Sequence, residues 1–253
     1  MRTLAALLLL AQSPEAVYRE GVTALEAGRA ADAVPLLEKA ATAAHSNAQY
    51  WKALGVALAS LGRYSDALEP FREACALAPD LVDACYYYGR SLYATDRYEA
   101  ALVPLRTALK ADADKARAET AIAQALEALG KGDEAERLFR SAIGRRSHFE
   151  PSARLAFGSF LLRAGRLDEA LAMLEAAQQP ESAEASLEYA RALMQAGKAD
   201  AAALKLERLI QLTPKDAAAH FLLAKAYRRL GRNADAVRQE EAGKALQGSS
   251  TTR

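Results

Sequence analysis

A glycine or aspartate followed five residues later by an alanine recurs seven times along this 253-residue chain. The pairs are Gly28 with Ala33, Gly62 with Ala67, Asp96 with Ala101, Gly130 with Ala135, Gly165 with Ala170, Gly197 with Ala202 and Gly231 with Ala236. Their first members lie 34, 34, 34, 35, 32 and 34 positions apart. A period of this length indicates stacked supersecondary units, because one such unit cannot bury its apolar face alone.

Composition indicates that each unit is helical. Hydrophobic residues make up 51% of the chain but aromatic residues only 7%, with 14 glycines and 8 prolines. Alanine and leucine dominate, and both favour helices because they lose little side-chain entropy there. Apolar side chains recur at helical spacing before each turn, as Trp51, Leu54 and Leu58 do before Gly62. We therefore predict an all-α chain of helix-turn-helix units.

The second unit carries the fullest set of recurring residues. They are Trp51, Leu54, Gly55, Leu58, Tyr64, Ala67, Phe71, Ala74 and Pro79. These residues match consensus positions of the tetratricopeptide repeat, and the chain resembles that family from Pro14 onward. The resemblance implies a right-handed α-solenoid of about seven tetratricopeptide repeats, with units starting near residues 14, 48, 82, 116, 151, 183 and 217. We expect the repeat domain to span residues 14–246 and residues 247–253 to form a disordered tail.

The first thirteen residues differ from the repeats. A positive start at Met1-Arg2 precedes the apolar run from Thr3 to Ala11, and Gln12-Ser13-Pro14 ends that run. This order is typical of a secretory signal peptide, and the run is too short to span a bilayer. We predict that residues 1–13 are a signal peptide, as in exported bacterial members of the family, and that the protein is periplasmic or secreted. The alternatives are an additional apolar helix on the first repeat and a cytoplasmic location.

No set of residues points to catalysis, to a cofactor or to a metal. His45, His148 and His220 lie in different units, without cysteine or carboxylate partners at metal-ligand spacing. No glycine-rich loop follows a strand, as a phosphate-binding loop would. The seven repeats occupy nearly all of the chain. We therefore predict that the protein is not an enzyme and that it uses no cofactor.

Cys75 and Cys85 are the only cysteines. They lie near the end of one helix and in the next, and these two helices should pack together. Two states remain open at this stage. A disulfide across Pro79 is compatible with an exported protein, whereas two small buried hydrophobic side chains suit either location.

The first helices of tetratricopeptide units line a concave groove in which ligands lie, and the resemblance implies the same surface here. The candidate peptide-binding residues at groove-facing positions are Tyr18, Lys52, Tyr86, Tyr87, Arg90, Tyr93, Arg117 and Gln124. Tyrosine and arginine are enriched at binding hot spots, and arginine binds carboxylates through two hydrogen bonds. We expect a protein or peptide ligand, extended or helical, with acidic groups or a C-terminal carboxylate. The alternative is that the tyrosines only pack between units.

The resemblance does not extend to the carboxylate clamp of chaperone-binding members, which consists of Lys, Asn, Asn, Lys and Arg. Lys52 matches its first residue, and Arg117 stands at the second lysine. Val56 and Tyr87 replace both asparagines, and Ala121 replaces the arginine. We therefore do not expect recognition of chaperone tails.

The charge balance helps to rank three functions. The chain has 33 Lys and Arg against 32 Asp and Glu, so its net charge of +1 provides no field that would concentrate nucleic acid or an anionic membrane. The leading prediction is an interaction scaffold. The second is a non-catalytic subunit of an envelope assembly, secretion or glycosyltransferase complex. RNA binding by a helical repeat ranks last, and neither nucleic acid nor stable membrane insertion is expected.

Overall fold

The structure is a computed structural model that describes residues 13–112, 114–145, 147–178 and 182–250. Within these ranges the chain forms fourteen α-helices and no strand. The helices are α1 (Pro14–Glu26), α2 (Ala30–Ala43), α3 (Ala48–Ser60), α4 (Tyr64–Leu77), α5 (Val82–Ala94), α6 (Tyr98–Ala111), α7 (Ala116–Ala128), α8 (Gly132–Ile143), α9 (Glu150–Arg163), α10 (Leu167–Ala176), α11 (Ala183–Gln195), α12 (Ala199–Leu212), α13 (Ala217–Arg229) and α14 (Asn233–Ser250). Consecutive helices make seven helix-turn-helix repeats, so the predicted all-α repeat fold is confirmed.

A residue with left-handed backbone geometry lies at the turn of every repeat. Six of these residues are the glycines of the recurring pattern, with φ between 72° and 74°, and the seventh is Asp96, with φ of 59°. Glycine suits this conformation because it has no Cβ to clash with the backbone. After Gly62, for example, the N–H of Arg63 donates to the carbonyl of Leu58 at 3.0 Å. This hydrogen bond provides a partner for a carbonyl in the last turn of α3. These glycines therefore end the first helix of their repeats.

The chain forms two compact units, and the division between Leu138 and Phe139 falls within α8. In the first unit each helix from α1 to α6 packs on the next one, and the first helices α1, α3, α5 and α7 also contact one another in that order. In the second unit the same pattern holds from α9 to α14, with contacts between α9 and α11 and between α11 and α13. First helices of neighbouring repeats therefore lie side by side within each unit.

Small residues in the first helix of a repeat allow the second helix to approach closely. A Cβ added to Gly55 would lie 2.6 Å from the ring of Phe71, and one added to Gly89 would lie 2.5 Å from Leu105. Phe71 is 1% exposed. Such packing leaves no room for a larger side chain in the first helix. Gly55 and Phe71 therefore form part of the packed contact between the two helices of the second repeat.

The first two repeats are joined by a partly buried hydrogen bond. The Tyr50 hydroxyl on α3 donates to the Glu15 carboxylate on α1 at 2.6 Å, and the Tyr18 ring stacks on the Tyr50 ring at a centroid distance of 4.4 Å. This hydrogen bond, together with burial, raises the pKa of Tyr50 to about 12. The fold therefore favours the neutral phenol. The hydrogen bond contributes fully to stability below about pH 10, the ordinary pKa of tyrosine. This contribution is lost as the pH rises towards about 12, the pKa of Tyr50 in the fold.

We expect Tyr50→Phe to lower the free energy of unfolding by about 1–2 kcal/mol at pH 7, because the ring remains and only the hydrogen bond is lost. The difference from wild type should shrink in urea denaturation at pH 11.5, where the wild-type contact has also weakened. Tyr64→Phe serves as the control, since Tyr64 is 42% exposed. A Tyr50→Phe effect that is the same at both pH values would contradict the assigned role of the hydroxyl.

The last helix is longer than the sequence indicates. The disordered tail was expected to start at residue 247, whereas α14 continues through Ser250. No proline interrupts this segment, and the single Gly248 costs only about 1 kcal/mol relative to alanine, which does not by itself end a helix. Residues 251–253 and residues 1–12 of the predicted signal peptide lie outside the described residues.

Candidate functional site

Six of the eight candidate binding residues lie on α5 and α7, two first helices that contact each other in the first unit. We call these six residues the Tyr–Arg network: Tyr86, Tyr87, Arg90 and Tyr93 on α5, with Arg117 and Gln124 on α7. All six side chains are half-buried. They are therefore partly used by the fold and partly available to a ligand.

Two polar contacts connect α5 to α7. The Arg90 guanidinium donates to Oε1 of Gln124 at 2.6 Å, and Arg117 donates to Oδ1 of Asp83 at 2.8 Å. The members of each pair are 34 residues apart, so they occupy the same position in successive repeats. The repeat period itself thus brings the polar groups of this surface together.

Aromatic rings complete the network. The Arg117 guanidinium lies 4.3 Å from the centroid of the Tyr86 ring, and Arg90 lies 5.4 Å from that of Tyr93. Tyr86 and Tyr87 meet edge to face with their centroids 5.5 Å apart. The other side of Tyr87 faces the core, 5.7 Å from Phe71. Cation–π contacts of this kind hold an arginine in a fixed position over a ring.

Arg117 is held by carboxylates of the protein itself. Besides Asp83, its guanidinium lies 3.8 Å from Asp112, and its side chain is only 17% exposed. Arg117 is one of the predicted ligand-binding residues, and its contacts with the two carboxylates also hold its guanidinium over the Tyr86 ring. Asp83 and Asp112 were missed, although the 34-residue offset between Asp83 and Arg117 was visible in the sequence.

Arg90 differs from Arg117 because its hydrogen-bond partner, Gln124, is a neutral amide. No ion pair of Arg90 with a carboxylate occurs within the described part of the chain. Its charge is therefore half-buried without a counter-ion, a situation that favours the approach of an anionic group.

The ionisation state of Tyr86 follows from its surroundings. Burial raises the pKa of the Tyr86 hydroxyl, and this outweighs the lowering effect of the positive charges of Arg90 and Arg117. The hydroxyl therefore remains protonated at neutral pH. It is available both as a donor and as an acceptor of hydrogen bonds.

Tyr18 and Lys52, the other two candidates, lie on the preceding first helices α1 and α3. Tyr18 is stacked on Tyr50, and burial raises its pKa. Lys52 is half-buried and forms no ion pair among the residues that the structure describes. Neither residue takes part in the contacts of the Tyr–Arg network reported above. They extend the surface toward the start of the chain.

One of the two cysteines lies on α5, the helix that carries four residues of the network. Cys75 on α4 and Cys85 on α5 form a disulfide, with their Cα atoms 4.7 Å apart. Cys85 is fully buried and immediately precedes Tyr86, whereas Cys75 is partly exposed. Of the two states left open by the sequence, the structure therefore contains the bonded one.

Other polar groups do not form a second site in the described ranges. His220 is buried, with its ring nitrogens 2.7 Å from Oε1 of Gln239 and 3.1 Å from the Pro214 carbonyl. Across residues 13–250, leaving out the undescribed positions, no group of three or more His, Cys, Asp or Glu could hold a metal ion. None of the helices described above is long and apolar enough to cross a membrane.

Sequence profiles of one family match three parts of the chain. Profiles described as tetratricopeptide repeat match residues 18–82 and 161–204, and one described as TPR repeat matches residues 190–231. A search of curated proteins found no significant match. The matched segments lie in both compact units, so the family assignment does not depend on one repeat.

Solved structures with a similar fold extend this finding. The human IFIT1 dimer with m7Gppp-AAAA has 20% identity and a TM-score of 0.62, over 94% of this chain and 61% of that one. The APC/C hetero-tetramer Cut9–Hcn1 has 16% identity and a TM-score of 0.71, over 92% of this chain and 46% of that one. TTC0263, a thermophilic TPR protein of Thermus thermophilus, has 25% identity and a TM-score of 0.60, over 72% of this chain and all of that one. This chain thus spans only about half of the first two proteins, and the likeness to them is one of fold.

Proposed function

This chain is a tetratricopeptide-repeat protein, and we propose that it is a scaffold that binds a segment of a partner protein on the Tyr–Arg network. Proteins with this fold generally mediate protein interactions. The observation that carries the proposal is Arg90, whose half-buried charge is hydrogen-bonded to the neutral Gln124 and is paired with no carboxylate among the residues that the structure describes. Binding rather than catalysis is the activity that such a surface supports.

The chemistry of the network favours a ligand with an anionic group. Arginine has five N–H donors, and the contact with Gln124 uses one of them. A carboxylate placed against Arg90 would gain a charge-assisted hydrogen bond and would neutralise the half-buried charge. We therefore propose an extended or helical segment with an acidic side chain or a C-terminal carboxylate. Lys52 on α3 would provide a second positive charge along the same row of helices.

The tyrosines would provide most of the contact area. Tyr86, Tyr87 and Tyr93 surround Arg90 on the same helix, and each has an apolar ring with a polar hydroxyl. Tyrosine loses little conformational entropy on binding, because it has only two side-chain torsions. The rings of Tyr86 and Tyr87 are already positioned by Arg117 and Phe71, so little further ordering is needed when a ligand binds.

We expect Arg90→Ala to weaken partner binding about tenfold to a hundredfold, the range of arginine hot spots at interfaces. The matched control is Arg191→Ala. Arg191 occupies the same repeat position on α11, but it is ion-paired with Glu188. Partners captured by the full-length wild-type chain would be quantified by mass spectrometry, and their affinities for the three proteins would be compared at two salt concentrations.

Equal recovery of every partner by wild type and Arg90→Ala would contradict the proposed surface. Loss of binding in Tyr86→Ala and Tyr93→Ala but not in Arg90→Ala would contradict the proposed acidic ligand. An acidic ligand also predicts weaker binding at higher salt, because exposed charge interactions are screened.

We further propose that the scaffold acts in the bacterial envelope. The support comes from the Cys75–Cys85 disulfide, since disulfides persist in oxidising compartments, and from the signal-like order of residues 1–13. Recovery of the full-length chain from the cytoplasm of fractionated cells would contradict this location. Capture of one stoichiometric partner would indicate a subunit of an envelope assembly, secretion or glycosyltransferase complex.

Ion pairing at the end of the chain argues against the RNA-binding alternative. The chain is most basic there, but Arg228 pairs with Glu240 at 2.6 Å, and Arg232 pairs with Asp235 at 2.7 Å. Arg238 also pairs with Asp235. The carboxylates neutralise most of the positive charge of these arginines. The arginines would therefore release few counterions from a nucleic acid and would add little to its binding.

A further inference from the structure

We propose that the Cys75–Cys85 disulfide is a redox-sensitive lock that holds the Tyr–Arg network in place by securing an uncapped first turn of α5. The proposal rests on the proposed function only in assigning ligand binding to this network. The structural part, which concerns the order of α5, is independent of any partner.

Several first helices begin with a capping side chain, but α5 does not. The side chains that accept a hydrogen bond from a backbone N–H of the first turn are Ser13 for α1, Asn47 for α3, Ser182 for α11 and Asp216 for α13. Leu81 occupies this place before α5 and provides no such bond. Its φ of −73° and ψ of 81° are close to the −80° and 94° of Asp216. The missing cap is therefore a matter of residue type, since the backbone is already suitable.

The disulfide lies at the first turn of α5, the turn that a capping side chain would stabilise. Cys85 is the fourth residue of α5, and Cys75 belongs to the last turn of α4. The bond ties the first turn of α5 covalently to the preceding helix. An uncapped helix end opens readily, because its first N–H groups have no partner inside the helix. A covalent tie restricts this opening.

Opening of the first turn of α5 would disrupt the network. Asp83 lies in that turn and holds Arg117 at 2.8 Å, and Arg117 in turn covers the Tyr86 ring at 4.3 Å. If Asp83 moves away, Arg117 loses this charge-assisted hydrogen bond to the first turn of α5, and its position over the Tyr86 ring is less firmly fixed. The redox state of the cysteines would thereby determine whether Tyr86 is presented in its ordered position.

The chemical step is a two-electron thiol–disulfide exchange with a dithiol reductant. A thiolate of the reductant attacks Sγ of Cys75, which is partly exposed, whereas Cys85 is fully buried. The S–S bond breaks, and Cys85 leaves as a thiolate that takes up a proton. The second thiol of the reductant, as its thiolate, then displaces Cys75, which also leaves as a thiolate and is protonated. The reductant ends as a disulfide, and the two cysteines have gained two electrons and two protons.

Hydrogen–deuterium exchange of the full-length chain, before and after treatment with a dithiol, tests this proposal. We expect the amides of residues 86–88, whose hydrogen bonds close the first turn of α5, to exchange at least about fivefold faster after reduction, which is the factor that a helix cap typically contributes. The corresponding amides of α3, which is capped by Asn47 and contains no cysteine, should be unchanged. A Cys75→Ala, Cys85→Ala variant should show the faster exchange with or without reductant.

The variant Leu81→Asn provides the decisive comparison, because it adds a capping side chain at the position of Leu81 without touching the cysteines. We expect it to restore most of the protection of the amides of residues 86–88 in the reduced protein. Unchanged exchange upon reduction would overturn the proposal, and so would fast exchange in reduced Leu81→Asn. Circular dichroism would confirm that each protein is folded. None of these readouts involves a partner, so failure here is distinct from failure of the Arg90→Ala binding test.

Discussion

Replacement of Phe71 by alanine is expected to lower the free energy of unfolding of the first unit by about 3–5 kcal/mol, the usual cost of removing a phenylalanine from a packed core. Phe71 is 1% exposed and fills the space over Gly55, which has no side chain that could move into the cavity. Tyr87 would also lose the ring against which it packs. Because neighbouring repeats stabilise each other, the loss should extend beyond the second repeat.

Urea denaturation followed by circular dichroism would measure this effect. Val103→Ala on α6 is the control, because Val103 is 71% exposed and its truncation should change the stability by less than about 0.5 kcal/mol. Phe71→Ala should also weaken partner binding through Tyr87, even under conditions in which most of the protein is folded. Similar stabilities of Phe71→Ala and Val103→Ala would contradict the central role of this ring.

The fold was predictable because each repeat uses equivalent residues for the same contact. Glycine in the first helix faces a large residue sixteen positions later, as with Gly55 and Phe71, or Gly89 and Leu105. This constant offset follows from two helices joined by a short turn, and the sequence displays it directly. Helix ends were less predictable. The continuation of α14 through Ser250 depends on a small difference in free energy between the helical and the extended backbone.

The contacts among the candidate site residues were only partly predictable from the sequence. Arg90 and Arg117 look equivalent when only groove-facing positions are considered. Their roles differ because the residue at the same position of a neighbouring repeat is Gln124 for Arg90 and Asp83 for Arg117. Comparison across the 34-residue period would have revealed this difference. The contact of Arg117 with Asp112 follows no such period and required the structure.

The state of the cysteines shows another limit of sequence analysis. A separation of ten residues across Pro79 is compatible both with a disulfide and with two separate thiols. The outcome depends on the distance between Cα atoms at the end of α4 and the start of α5, which is 4.7 Å. The sequence already showed that Leu81 cannot cap a helix. Only the structure showed that a disulfide joins the first turn of α5 to α4, and that α3 and α13 have capping side chains at the same place.

Gly55→Val is expected to destabilise the first unit by about 2–3 kcal/mol, because the added Cβ would lie 2.6 Å from a ring that is itself 1% exposed. Helix propensity alone would predict a small gain, since glycine is unfavourable within helices. Steric overlap should therefore outweigh helix propensity, and the substitution should lower the free energy of unfolding. Gly132→Ala is the matched control: a Cβ there meets no heavy atom within 4 Å, so we expect a neutral or slightly stabilising effect.

A double-mutant cycle makes the origin of the effect testable. If valine at position 55 acts by displacing Phe71, then removing the ring should relieve the overlap and the valine should fill part of the cavity. The combined Gly55→Val, Phe71→Ala protein should then be more stable than the sum of the two single effects, by roughly 1–3 kcal/mol of coupling. Additive losses in urea denaturation would mean that the two residues do not compete for the same space. In that case the contact between Gly55 and the residue sixteen positions later, Phe71, could not be what allows the two helices to pack closely.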